Sequence, residues 1–138
     1  MPNRLLPLLL AAFCAPLAAQ SLQPGEWEID STVTSKMLPK PQAITLKRCI
    51  RQEEADNPER ILARQGQKND CTVTVNEKSA TAMKWQMACP KSGMSGTGTA
   101  RLTGDTLDSE MKMRGEVQGR QFEMLTKMTG RRVGPCPS

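Results

Sequence analysis

The 138-residue chain has no histidine and no tyrosine, and its only aromatics are two tryptophans and two phenylalanines. Without histidine there is no imidazole base near neutral pH, no His-based nucleophilic triad and no imidazole metal site. The net charge is +5, but no five like charges run together, and only Lys47-Arg48 and Arg131-Arg132 are adjacent bases. A single-strand nucleic-acid platform needs a basic stripe with stacking rings, and neither is present. Interleaved acids and bases read instead as a solvated outer face. The chain lacks a C-x-x-C pair, which argues against zinc. The glycine-rich stretch Gly93 to Gly104 lacks both a following helix and a Lys-Ser or Lys-Thr pair, so it reads as a strand and not a phosphate loop. The carboxylate pairs Glu53-Glu54 and Glu26/Glu28 read as solvated charge on a helix and on an outer strand face. The expectation is a non-enzyme with no cofactor and no bound metal.

Long apolar runs are scarce too. The exception is Leu5 to Leu17, which follows Arg4 and ends at Ala18-Ala19. This three-part pattern reads as a cleaved secretory signal over residues 1–19, with Cys14 discarded. It is shorter than the roughly 20 apolar residues of a membrane span, and no transmembrane segment is expected elsewhere. Residues 20–138 are then one domain, exported to a periplasmic or extracellular compartment. Four cysteines remain: Cys49, Cys71, Cys89 and Cys136. An even count in an exported chain reads as two disulfides. The favoured pairing is Cys49–Cys71, closing a helical insert at its base, with Cys89–Cys136 pinning the tail. The rival is Cys71–Cys89 across a hairpin with Cys49–Cys136, and spacing alone leaves both open.

What the chain has in quantity is period-two alternation. Trp27, Ile29 and Val33 share one face of a first strand, and Ile44, Leu46 and Ile50 one face of a second. Val73 and Val75 follow, then Met83, Trp85, Met87 and Cys89, with Lys84 and Gln86 pointing the other way. Gly96, Gly98, Ala100 and Leu102 come next, then Leu107, Met111, Met113 and Val117, and finally Phe122, Met124 and Met128. Each set is a half-buried strand. Between the second and third strands, Arg51 to Gln65 is charged and aliphatic. Asn57-Pro58-Glu59 there marks a helix start and Gly66 a helix stop. The pattern predicts a mainly all-β fold: an antiparallel meander of about seven strands forming a small closed or partly open barrel, with one short helix after the second strand.

Nine methionines against four aromatics are the unusual feature. Methionine adapts to irregular interiors and to promiscuous apolar ligands alike. Trp27, Met83, Trp85, Met87, Met111, Met113, Phe122 and Met124 are the candidate lining for an apolar small molecule or acyl chain. The competing reading is a structural or protein-interaction module in which these side chains are simply core. Thioether coordination of Cu(I) is a remote third. The sequence is silent on oligomeric state.

The residues also carry a resemblance. Pro24-Gly25-Glu26-Trp27-Glu28, then Cys49-Ile50 before Glu53-Glu54-Ala55-Asp56-Asn57-Pro58, open a pattern that continues through Cys71-Thr72-Val73 and Trp85-Gln86-Met87-Ala88-Cys89. Met111-Lys112-Met113 and Gly130-Arg131-Arg132-Val133-Gly134-Pro135-Cys136 complete it. The whole resembles a bacterial secreted family known as domain of unknown function 3617. The resemblance implies a periplasmic, disulfide-bonded, mostly β domain with no assigned activity. Where that family has a long Met/Pro/Gly loop, this chain has only Lys36-Met37-Leu38-Pro39-Lys40-Pro41. Arg51-Gln52 replaces the family's Thr-Pro helix start, which moves the expected start to Asn57. Gly25-Glu26-Trp27 with Arg131 or Arg132 is also similar to the opening and closing motif of lipocalin-type barrels.

Overall fold

A computed structural model describes residues 22–138; the expected leader, residues 1–19, with Cys14, lies outside them. Seven strands form a single antiparallel sheet: β1 (Gly25–Ser35), β2 (Gln42–Ile50), β3 (Thr72–Lys78), β4 (Ala82–Cys89), β5 (Met94–Leu102), β6 (Thr106–Val117) and β7 (Arg120–Gly134). The alternation had the strand phases right. Trp85 lies opposite Val75 and Gly98, Gly98 opposite Met111, and Met113 opposite Met124. Ile29 lies opposite both Gly130 and Leu46. Every position predicted to point inward therefore shares one face.

The strand order is β2-β1-β7-β6-β5-β4-β3. The first strand pairs with the last over its whole length, Glu26 with Gly134 through Ser35 with Met124. The meander thus joins its own ends at β1/β7 and is open between β2 and β3, as a partly open barrel. The long connection from Ile50 to Thr72 holds two helices, which are free of the ladder, so the break falls there.

Topology also decides the disulfides, and it overturns the favoured pairing. Cys49 is bonded to Cys136 and Cys71 to Cys89, not Cys49 to Cys71 or Cys89 to Cys136. Because β1 pairs with both β2 and β7, Glu26 faces Cys49 on one side and Gly134 on the other. That places Cys49 and the tail on one rim, with Cα atoms 5.3 Å apart. At the opposite rim, Thr72 faces Ala88, so Cys71 and Cys89 are the next pair of the same hairpin, 4.1 Å apart. The first distance lies within the usual bridging range and the second just short of it. Two disulfides fit an oxidising compartment, and no helix among the described residues is long and apolar enough to cross a membrane.

The single expected helix is two: α1 (Gln52–Asp56) and α2 (Glu59–Lys68). The predicted signal at Asn57-Pro58-Glu59 starts α2; α1 precedes it because Glu54 caps it. The Arg51 backbone N–H donates to Glu54 Oε2 at 3.2 Å. Pro58 has no N–H to continue the ladder and forces Asn57 out of the helical region, which ends α1. Gly66 does not stop α2. It is buried within it, where a Cβ would press on Val73 and the Cys71 carbonyl, so its bareness lets β3 approach.

The core gathers on the Trp85 face towards the rim that holds Gly25 and Ile50. Leu22, Trp27, Ile50, Ala55, Met83, Trp85, Ala100 and Leu102 are buried together, with Ile29, Leu62, Val73, Val75 and Leu107 against them. Gly98 lies directly under the Trp85 indole and Gly96 under the Met113 thioether, leaving no room for a Cβ at either. The sheet's bare positions are roofed by its largest side chains. Arg132, and not Arg131, partners the opening motif: it lies opposite Trp27 and its Nε donates to the Pro24 carbonyl at 2.8 Å.

Candidate functional site: a hollow on the polar face

Two cross-strand rows near the Cys71–Cys89 rim run unbroken over most of the sheet. One is Thr74, Gln86, Thr97, Lys112, Leu125 and Thr34; the other is Thr72, Ala88, Ser95, Arg114 and Glu123. Both rows point away from the Trp85 face, since strand residues alternate. Together they line a hollow of about 960 Å³ that also takes in Lys36 and the intervening row of Met87, Gly96, Met113, Met124 and Ser35. Ligand pockets run to about 300–1,000 Å³, so the hollow reaches the top of that range.

Its chemistry is mixed. Six hydroxyls and the Gln86 amide supply hydrogen bonds, while Ala88 and Leu125 give apolar surface. The charged groups are Lys36, Lys112, Arg114 and Glu123. Lys112 reaches Glu110 only at 3.9 Å and is largely exposed. Among the described residues, Lys36 and Arg114 form no ion pair within 4.0 Å, so positive charge in the hollow goes largely uncompensated. Arg114 does sit directly opposite Glu123 in the register.

The expected lining divides. Trp27, Met83, Trp85 and Met113 are at most 5% exposed. They are core side chains. Met87, Met111, Phe122 and Met124 are half-buried on the same face. Of the whole set, only Met87, Met113 and Met124 border the hollow. Those three share one cross-strand row with Gly96, which separates Met87 from Met113.

The alternation pattern assigned the hollow's rows to a solvated outer face and so passed over them. The signal was present, however: the wet positions there are small and hydroxylated, with an apolar Ala88 and Leu125 among them, where a plain solvated face carries long charged side chains. Glu54 was passed over as well. Expected to be solvated, it is 3% exposed, and its Oε1 accepts from Arg48 Nη2 and Arg64 Nη1, each at 2.9 Å. One buried carboxylate therefore joins β2, α1 and α2 beside the core. Glu53 is exposed as expected.

The two indoles differ in a polar detail. Trp27 Nε1 donates to the Gln23 carbonyl at 3.0 Å, whereas Trp85 Nε1 is buried with no hydrogen-bond partner among the described residues. No three of His, Cys, Asp or Glu gather into a metal-holding group among the described residues.

Comparison with curated proteins found no match. Residues 22–136 match the family described as "Protein of unknown function (DUF3617)", and the chain belongs to that family.

Proposed function

We propose that this domain is a non-enzymatic binding module of an exported, oxidising compartment, and that its ligand is an amphipathic small molecule or acyl chain with an anionic head. The observation that carries this reading is the 960 Å³ hollow. Lys36, Lys112 and Arg114 would meet the anionic group, the hydroxyl rows would orient it, and Ala88 and Leu125 would take the methylenes. This moves the ligand from the Trp/Met face, where packing is already dense, to the opposite face. The non-enzymatic part rests on the missing imidazole and on cysteines consumed in disulfides, which removes the commonest bases and nucleophiles.

The test is occupancy. Native mass spectrometry of the protein purified from its own compartment should reveal a bound mass, and palmitate added to stripped protein should raise its melting temperature. Thr97→Trp, which fills the hollow from an exposed position, should abolish both effects without unfolding the domain. Bare protein, together with no response to palmitate or to shorter anionic amphiphiles, would refute the reading. The exposed β2 edge favours a second reading, a protein-interaction module.

A further inference from the structure

β2 ends the sheet on one side. It pairs with β1 from Gly25/Ile50 to Val33/Gln42 without a bulge, and among the described residues no strand pairs with its outer edge. Gln42 to Lys47 are all exposed; Ile44 is 60% exposed and Leu46 45%, both on the Trp85 face. The sheet's other end is protected differently. β3 carries a register shift between Val75 and Glu77 and has α2 packed beside it. Sheets commonly blunt their free edges with bulges, charge or covering elements, and a long, flat, apolar edge is a template for another strand.

The charge pattern states what that strand should be. On the polar face, Arg131 lies opposite Glu28 and bonds it at 2.7 Å, and Glu28 lies opposite Lys47. The row thus reads positive, negative, positive and then stops at the free edge. β2 itself contains Lys47 and Arg48 and no acid, and Arg48 is already engaged by Glu54. On the Trp85 face the rows Gly130–Ile29–Leu46 and Met128–Ser31–Ile44 stop at the same edge.

We propose that the β2 edge is a docking site for an extended acidic-apolar segment of a partner protein, which adds to the sheet as an eighth, antiparallel strand. Backbone hydrogen bonds supply affinity and the alternating side chains supply selectivity, as in other strand-addition complexes. The incoming segment reads acid, apolar, polar, apolar: the acid opposite Lys47, the apolar residues opposite Leu46 and Ile44, and the polar residue opposite Thr45. A second copy of this chain fits less well. Pairing β2 with itself so that Ile44 meets Leu46 sets Lys47 against Ala43, and the two strands together hold no acid.

The probe is a capped octapeptide, Ser-Thr-Glu-Val-Thr-Val-Thr-Ser, titrated into the isotopically labelled exported protein. Amide shifts and slowed exchange should concentrate in Gln42 to Lys47 and spare β3. Lys47→Glu should weaken binding about tenfold, since it trades one attraction for one repulsion. The same peptide with Lys in place of Glu should recover that loss on the variant and bind wild type poorly. Ile44→Lys should weaken both peptides. Both positions are exposed, so the variants should fold, and circular dichroism checks this. Equal binding of the Glu and Lys peptides by wild type would overturn the proposal, as would shifts confined to the hollow. A concentration-dependent dimer in sedimentation, with β2 amides protected in the absence of peptide, would also overturn it and assign the edge to a second copy. Occupancy of the hollow is measured separately, so either reading can fail alone.

Discussion

The two crosslinks should contribute unequally to stability, because topology gives them very different loops. Cys49–Cys136 closes 87 residues of chain and Cys71–Cys89 closes 18. If a disulfide acts mainly by restricting the unfolded chain, the logarithmic loop term gives about 4.6 kcal/mol for the first and about 3.2 kcal/mol for the second. An ordinary domain has about 5–15 kcal/mol in total, and this one has a small core. Alanine is the replacement of choice, because a hydroxyl at the buried Cys89 position would add a desolvation penalty. Urea unfolding of the Cys49→Ala/Cys136→Ala and Cys71→Ala/Cys89→Ala variants, followed by far-ultraviolet dichroism, measures both losses. The first variant should be weaker by about 1.4 kcal/mol, the difference between the two loop terms. Its denaturant slope should also rise more, since its unfolded chain expands further. Peptide mapping of the protein folded in an oxidising compartment should recover both bridges as paired here. A Cys71→Ala/Cys89→Ala variant less stable than its counterpart would refute the loop argument. Free thiols in the mapped protein would refute the crosslinks themselves.

Trp27→Phe should cost more than Trp85→Phe, by about 1–3 kcal/mol, because only the former strands a partner, the Gln23 carbonyl; thermal or urea unfolding of the two variants compares them directly. Glu54→Ala should cost about 3 kcal/mol, the lower end for breaking a buried ion pair. Arg48 and Arg64 keep partial exposure and can rehydrate, and the loss should appear as a lower urea midpoint. Burial works to raise the pKa of Glu59, but Lys78 at 2.7 Å, a backbone hydrogen bond and Arg60 outweigh it and hold the carboxyl below its ordinary value. A depressed carboxylate pKa contributes stability above the ordinary value and loses it as pH falls through the lowered one. Both side chains are about a third or more exposed, so Lys78→Met should lose at most about 1 kcal/mol at pH 7. That deficit should vanish in acid, as a series of unfolding curves across pH would record.

The sequence by itself determined the strands and their inward faces, because each is written in local alternation and composition. Trp85, Met87 and Cys89 reveal their side of the sheet whatever strand lies next to them. The location of Asn57-Pro58-Glu59 at a helix start was equally local. Only the tertiary structure decided which strands are neighbours. Pairing β1 with β7 is a contact between the two ends of the domain that no short window records, and it brought Cys49 to Cys136 in place of Cys71. The same closure left β2 as a free edge with Ile44 and Leu46 uncovered, although their pattern matches that of buried residues elsewhere. The burial of Glu54 depended on Arg48 and Arg64 arriving from two other elements. The hollow depended on two cross-strand rows meeting over a curved sheet. Period-two patterning separates one face from the other; which face is packed, and where the other is hollow, is set by the twist and order of all seven strands together.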